Sequence, residues 1–210
     1  MRFLKKLNRG VIVFALLCIA VIVYIACTAV RRHKIYDMVY ETVIGYIDAE
    51  SDYSALPEAL YGETISDTVF NEGVSERVKQ AEAALSNYTT GNPDCSLIEE
   101  RLLKQKLNPV KEYINSYYNI TSFSFDSEKQ VTVGISFRQE SVYRYSSLND
   151  YNGYYNSYMF VLKNVNGSWK IDFMRSNDNF YSYGGEISEI YCYNRAASAD
   201  RLRFDGREVF

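Results

Sequence analysis

The chain begins with an unbroken run of uncharged, largely apolar residues at 11–30, VIVFALLCIAVIVYIACTAV, between basic flanks. About 20 residues at a helical rise of ~1.5 Å per residue match a hydrocarbon core of ~30 Å, so this run predicts one transmembrane helix after a cytoplasmic tail at residues 1–10. Two other interpretations stay open: a cleaved signal peptide, and a lipoprotein signal in which Cys27 is acylated. A lipoprotein anchor and a retained transmembrane helix would both tether the rest of the chain to the same membrane.

A helical period continues past the apolar run. Apolar and threonine side chains recur in steps of three and four at Ile35, Met38, Val39, Thr42, Val43 and Tyr46. This pattern predicts a helical stem over residues 31–50. Residues 51–73 contain Pro57 and two glycines, which indicates a broken helix and a loop.

Two further helices are predicted before the period changes. Ser75 is a candidate N-cap for a helix that reaches Leu85, and another helix starts near Ser96. Asn108-Pro109 either kinks that helix or starts a new one that ends near Tyr118, since proline is tolerated in a first helical turn.

From Ile120 onward the period is two, as expected of strands. Residues 120–126 and 131–145 alternate in polarity around the turn at 126–129. Residues 157–165 and 168–174 flank Asn166-Gly167, the dipeptide typical of a type I′ hairpin turn. Helices followed by an antiparallel meander predict an α+β domain at residues 51–190, with the helices packed on one face of a curved, cone-like sheet and a C-terminal tail at 191–210. The residues predicted to line or fill the concave face are Val133, Ile135, Phe137, Phe160, Leu162, Trp169 and Ile171.

Charge is distributed unevenly about the predicted span. Residues 1–34 hold seven of the 23 Lys and Arg residues and none of the 26 Asp and Glu residues, so residues 35–210 carry a net charge of -10. An acidic domain is repelled by the anionic cytoplasmic leaflet, which favours a single-pass protein of the cell membrane with its soluble domain outside. The same balance argues against nucleic acid as a partner.

The sequence offers little for catalysis. The only histidine, His33, lies at the predicted membrane edge, and no hydrolase, phosphate-binding or dinucleotide motif occurs. We expect no cofactor and no catalytic residues. The acidic group Asp172, Asp178, Glu186 and Glu189 could coordinate calcium, but it lacks the EF-hand spacing and solvated surface carboxylates are far commoner, so we expect no metal site.

Two cysteines lie outside the apolar run. Cys95 and Cys192 could form one disulfide in an oxidising compartment, or both could be buried thiols. A cysteine nucleophile would need a nearby base, which the position of His33 does not supply.

Tyrosines crowd the segment around residues 149–153. Such side chains suit protein interfaces and sugar stacking, but alternate tyrosines also coat antiparallel sheets because of their strand propensity. The candidates for a binding surface are Tyr143, Tyr145, Tyr151, Tyr154, Tyr155 and Tyr158.

The segment Asn166-Gly167-Ser168-Trp169-Lys170-Ile171 resembles the N-G-x-W-K-I string in the penultimate strands of SnoaL-like, nuclear-transport-factor-type cone domains. The resemblance implies a cone fold that serves as enzyme, ligand binder or scaffold. Bitopic members with one span and an outer cone resemble the assembly scaffolds of conjugative secretion machines. Within a Gram-positive bacterium, this implies partners among envelope proteins or cell-wall components.

A second resemblance occurs in the sequence C-terminal to the predicted cone domain. Tyr193-Asn194-Arg195-Ala196-Ala197 resembles the opening of an amidase domain found after such a cone in membrane-anchored Gram-positive proteins. The residues that follow do not continue that pattern, so the resemblance implies the non-catalytic front part of such a protein. No catalytic residue carries over.

We therefore expect a membrane-anchored, extracytoplasmic binding or assembly module without catalytic activity. The alternative is a small-molecule hydrolase or isomerase in a cone pocket that uses Asp or Tyr as acid and base. An open pocket containing Asp172 or Tyr158 would favour the enzyme.

Overall fold

The computed structural model describes residues 9–62, 64–144, 152–176 and 180–182. The chain divides into two compact units, residues 1–40 and 41–210. Helix α1 (Arg9–Ser54) is followed by a short 3₁₀ turn (Glu58–Leu60), α2 (Asp67–Leu85) and α3 (Ser96–Lys104). The strands are β1 (Val110–Ser127), β2 (Gln130–Tyr143), β3 (Asn152–Val165), β4 (Ser168–Ser176) and β5 (Phe180–Ser182).

The first unit contains the apolar part of α1. An 18-residue window of this helix has a mean hydropathy of 3.0, and none of it is buried. By length and composition the helix can cross a membrane, which is what the apolar run predicts. The helix continues without a break through the predicted stem to Ser54, so the boundaries between tail, span and stem stay predictions.

The N-cap of helix α2 lies nine residues before the predicted Ser75. Ser66 is its N-cap, and the Ser66 hydroxyl accepts a hydrogen bond from the Val69 amide at 3.3 Å. The sequence prediction failed because Gly73 was interpreted as a loop residue. In the structure a Cβ at Gly73 would lie 2.4 Å from Leu60 Cδ2, so this glycine lets the 3₁₀ turn pack against the helix.

Helix α3 starts at Ser96 as predicted, but the helical alternatives for the segment after Pro109 are wrong. Residues 110–118 belong to β1, which pairs with β2 from Val110↔Tyr143 to Ser127↔Gln130. Sheet pairing with β2 overrides the local pattern here. The register shifts between Ser116 and Asn119, and Tyr117 has a positive φ of 55°; together these mark a bulge in the edge strand.

The five strands form one antiparallel sheet in chain order. Asn166 and Gly167 have φ values of 53° and 91°, which confirms the predicted hairpin turn. At the far edge, the Ile171 amide donates to the Tyr88 carbonyl at 2.7 Å and the Thr90 amide donates to the Ile171 carbonyl at 2.9 Å. The loop after α2 therefore extends the sheet beside the first half of β4.

One face of the sheet, called the inner face below, carries the predicted core. All seven residues predicted to line or fill the concave face are buried, with exposures of 5% or less. The C-terminal part of α1 covers this face, where the Tyr46 and Phe160 rings meet edge to face at 5.8 Å. These contacts confirm the α+β class and the packing of helices on a curved antiparallel sheet.

Gly167→Ala is expected to lower the free energy of unfolding by about 1–2 kcal/mol, because a side chain at positive φ is strained. No atom lies within 4 Å of the added Cβ, so the loss would come from the backbone alone. Chemical denaturation followed by fluorescence of the single tryptophan, Trp169, measures it. Asn166→Gly is the matched control and should keep or raise stability; an unchanged Gly167→Ala variant would contradict the turn.

Candidate functional site

A cluster of polar side chains lies on the inner face, between the end of α1, α3 and the sheet. Its centre is Glu50 on α1, which is 4% exposed. Glu50 Oε1 accepts hydrogen bonds from Arg101 Nη1 of α3 and from the Tyr158 hydroxyl of β3, each at 3.2 Å. Arg101 Nη1 also lies 3.4 Å from the hydroxyl of the fully buried Ser54. These bonds join α1, α3 and β3 at one carboxylate.

A second group of bonds surrounds Gln139 of β2, which is 2% exposed. Gln139 Nε2 donates to the Ser51 hydroxyl at 2.8 Å and to Asn115 Oδ1 at 3.0 Å. Gln139 Oε1 accepts from Asn156 Nδ2 at 3.3 Å. The cluster thereby extends across β1, β2 and β3, and its members satisfy one another.

Gln105 closes the cluster at the end of α3. Its Nε2 donates to the Ser54 carbonyl at 2.8 Å, and its Oε1 accepts from the Val110 amide at 3.2 Å. The side chain therefore connects the last turn of α1 to the first residue of β1. These bonds fix where the chain leaves α3 and enters the sheet.

One polar atom in the cluster has no hydrogen-bond partner among the residues that the structure describes. This atom is Glu50 Oε2, which is buried, whereas Glu50 Oε1 accepts from both described donors. Burial raises the pKa of Glu50, and the positive charge of Arg101 and the hydrogen bonds from Tyr158 and Arg101 oppose that rise only in part. A carboxyl group in this state can keep its proton above the pH at which glutamate normally ionises.

Tyr158 stays a hydrogen-bond donor in this environment. Burial raises its pKa first, and the negative charge of Glu50 raises it further, so its hydroxyl keeps its proton. Tyr158 is 4% exposed and therefore lies in the core, not on a surface available to a partner. The arrangement could transfer a proton only to a molecule admitted beside Glu50.

The other predicted tyrosines are separated by strand alternation. Tyr155 faces away from the helices and is 72% exposed, whereas Tyr143 is half-buried at the end of β2. Only the backbone of Tyr154 is described, opposite Gln139. Tyr145 and Tyr151 lie outside the described residues. Tyr158 is buried and does not belong to a binding surface. That the other five tyrosines form such a surface stays a prediction.

Tyr155 belongs to a small patch on the other face of the sheet, called the outer-face patch below. Arg138 and Glu140 of β2 pair at 2.8 Å, between Tyr155 on β3 and Ile114 on β1. Ile114 is 40% exposed. Tyrosine and arginine are enriched in protein interfaces, so these four residues offer an aromatic and aliphatic contact around a paired charge.

Asp172, the other residue predicted for a pocket, forms an ion pair and a hydrogen bond at the edge of the sheet. Its Oδ2 lies 2.7 Å from Lys163 Nζ, and its Oδ1 accepts from the Thr90 hydroxyl at 3.0 Å. Asp178, Glu186 and Glu189 lie outside the described residues. In the ranges that the structure describes, no three His, Cys, Asp or Glu residues come together as a metal site.

Cys95 is the N-cap residue of α3 and is buried at 4% exposure. Burial raises the pKa of its thiol to about 12, with smaller contributions from the charges of Glu82 and Asp94. Such a thiol is a poor nucleophile at neutral pH. Cys192 lies outside the described residues, so its pairing with Cys95 stays a prediction.

The sequence analysis missed Glu50, although a signal was present. After Val43, Tyr46 and Ile47, the next positions on the buried side of α1 are Glu50, Ser51 and Ser54, and all three are buried. Polar residues that continue the apolar face of a helix indicate a buried polar cluster. Gln139 carries the same signal, because it is a polar residue at a position that strand alternation places on the buried face of β2.

Comparisons with known proteins add little to this geometry. No protein-family model matches the chain, and no curated protein matches it. Among solved structures, it is similar to the intermembrane space region of the chloroplast protein ARC6, with a TM-score of 0.39 and 9% sequence identity. That match covers 67% of this chain and 95% of the other. A likeness at this level carries no argument, and the SnoaL-like and amidase-type resemblances stay expectations.

Glu50→Gln is expected to change how stability depends on pH. Because burial raises the native pKa above the ordinary 4.5, the folded wild type binds more protons than the unfolded chain, and its free energy of unfolding falls as pH rises from about 4.5 to the native pKa. The steepest slope that one proton can give is about 1.4 kcal/mol per pH unit. The variant lacks this decline.

Denaturation of the full chain in detergent micelles at several pH values measures the difference. Glu99→Gln, which changes an exposed carboxylate on α3, controls for the loss of one negative charge. Wild type and Glu50→Gln with parallel pH profiles would show that Glu50 does not hold its proton in the folded domain.

Proposed function

We propose that the chain is a single-pass protein of the cell membrane whose α+β domain lies outside and acts as a non-catalytic binding or assembly module. The observation that carries the proposal is that the inner face of the sheet is already covered by the chain itself. Helix α1 covers it, and its polar groups bond chiefly to one another through Glu50 and Gln139. Among the described residues, Tyr155 and Ile114 of the outer-face patch are exposed and available to a partner.

The charge distribution supports the outside location. The segment after residue 34 carries a net charge of -10, while the basic residues before the span suit the cytoplasmic surface. The SnoaL-like resemblance of residues 166–171 agrees with a scaffold of this kind, and envelope proteins or cell-wall components are the partners that we propose. The amidase-type resemblance at 193–197 adds the proposal that the chain corresponds to the non-catalytic part of an amidase-type protein.

The side of the membrane is tested by protease on cells whose wall has been removed. With the domain outside, protease added to intact cells removes a C-terminal tag and leaves an N-terminal tag attached to the membrane fraction. A cytoplasmic protein of the same cells is the control for leakage. Protection of the C-terminal tag until the cells are lysed would contradict the location.

The outer-face patch is tested by a photo-crosslinking amino acid placed at Tyr155 in intact cells. We expect a discrete adduct that Arg138→Ala reduces at least several-fold, because that change alters the patch and leaves the probe in place. Val165, which is 44% exposed at the far end of β3, is the matched control position and should give no such adduct. Equal adducts at both positions, or none at 155, would contradict the proposal.

A second candidate function follows from Glu50 Oε2. A buried carboxyl oxygen without a described partner, beside the Tyr158 hydroxyl, supplies the ionisable group that the hydrolase or isomerase alternative requires, but that alternative also needs an open pocket. A small molecule that raises the unfolding temperature of the wild type but not of Glu50→Gln would favour this alternative. A crosslinked protein at Tyr155 would favour the binding module.

A further inference from the structure

A groove lies between the segment after the 3₁₀ turn and the C-terminal end of α3. Its volume is about 560 Å³, and pockets that hold ligands typically measure ~300–1,000 Å³. Among the described residues, the groove is lined by Gly62, Leu103, Lys104, Lys106 and Leu107. None of the five belongs to the polar cluster of the inner face or to the outer-face patch, so neither of those features accounts for the groove.

The apolar part of the lining is exposed. Leu103, in the last turn of α3, is 44% exposed, and Leu107, in the connection from α3 to β1, is 83% exposed. Gln105 bonds to the Ser54 carbonyl and to the Val110 amide, so this connection is held at both ends while Leu107 stays at the surface. A leucine this exposed gains free energy when it is covered, because its apolar surface leaves water.

The polar part of the lining is basic. Lys104 Nζ pairs with Glu100, and Lys106 Nζ pairs with Asp67. Both carboxylates are exposed. Ion pairs of such exposed groups contribute little, because water and salt screen them and the side chains lose freedom. A carboxylate brought by a partner can therefore share or replace these pairings.

The charge of the whole domain favours a short segment of another protein over a second copy of this chain. Residues 35–210 carry a net charge of -10, and a second copy would bring the same excess of negative charge. A short acidic segment brings only the few carboxylates that two lysines can pair with. Two lysines beside two leucines complement a segment that carries both carboxylates and apolar side chains.

We propose that the groove binds a short acidic, amphipathic segment of another protein. The apolar side chains of that segment contact Leu103 and Leu107, and its carboxylates pair with Lys104 and Lys106. The proposal goes beyond the proposed function, because it concerns a surface other than the outer-face patch and specifies the chemistry of the segment that binds there. Either surface can bind without the other.

Fluorescence anisotropy of two labelled peptides tests the proposal, with the full chain in micelles of a non-ionic detergent. One peptide alternates leucine and glutamate, and the other alternates leucine and lysine. We expect the wild type to bind the acidic peptide about tenfold more tightly than the basic one. The net negative charge of the domain alone would favour the basic peptide, so this preference has to come from the groove. Empty micelles measure the binding of each peptide to detergent.

Leu107→Ser removes the more exposed leucine and leaves both lysine ion pairs in place. It should weaken binding of the acidic peptide about tenfold, because the apolar contact is lost. Val165→Ser, at an apolar position that is 44% exposed, is the matched control and should leave the affinity unchanged. If Leu107→Ser does not fold, as judged by the fluorescence of Trp169, Leu107→Ala is measured by the same criterion.

The lysines are tested by Lys104→Gln with Lys106→Gln, which should remove the preference for the acidic peptide. Lys111→Gln with Lys129→Gln, a change of two exposed lysines elsewhere in the domain, is the matched control and should keep that preference.

Three results would overturn the proposal: no binding of the acidic peptide at about 1 mM, equal affinity for the two peptides, or an unchanged affinity in the Leu107 variant. A particle mass that falls on dilution of the wild type but not of Leu107→Ser would identify a second copy as the occupant and would also overturn it. Crosslinking at Tyr155 is measured separately, so either proposal can fail alone.

Discussion

The burial of Glu50 is the constraint on which the domain depends. A carboxylate removed from water is costly unless it is paired and hydrogen-bonded, so its donors must arrive with good geometry. Arg101 and Tyr158 supply those donors from α3 and β3, and both converge on one oxygen. The positions of a helix and a central strand are thereby tied to the end of α1. An apolar residue of similar size would pack there without demanding either partner.

The same polar cluster bears on function, because its groups already bond to one another. Gln139, Ser51 and Asn115 bond to one another, and Gln105 bonds across the end of α3. These groups therefore have little bonding capacity left for a ligand, apart from the second oxygen of Glu50. Tyr155 and Ile114, two exposed side chains that suit a protein partner, lie on the opposite face of the sheet, at the outer-face patch. A covered inner face and an exposed patch fit a module that binds through its surface.

The success of sequence prediction differed among elements for physical reasons. The hairpin at Asn166-Gly167 was predictable because its turn needs positive φ at both residues, and these types adopt it most easily. The start of α2 was misplaced because Gly73 serves packing against Leu60, which no local pattern records. The first half of β1 was predicted as helix because its strand state depends on pairing with β2.

The sequence by itself determined the apolar helix, the strands after residue 120 and the core residues of the inner face, because side chains at spacings of two, three and four report which face is buried. Only the tertiary structure decided that Glu50 would be paired and that Tyr158 would be buried. The partners of Glu50 are 51 and 108 residues away along the chain. A local pattern carries no information about contacts at such separations, so their chemistry appears only when the sheet and the helices are packed.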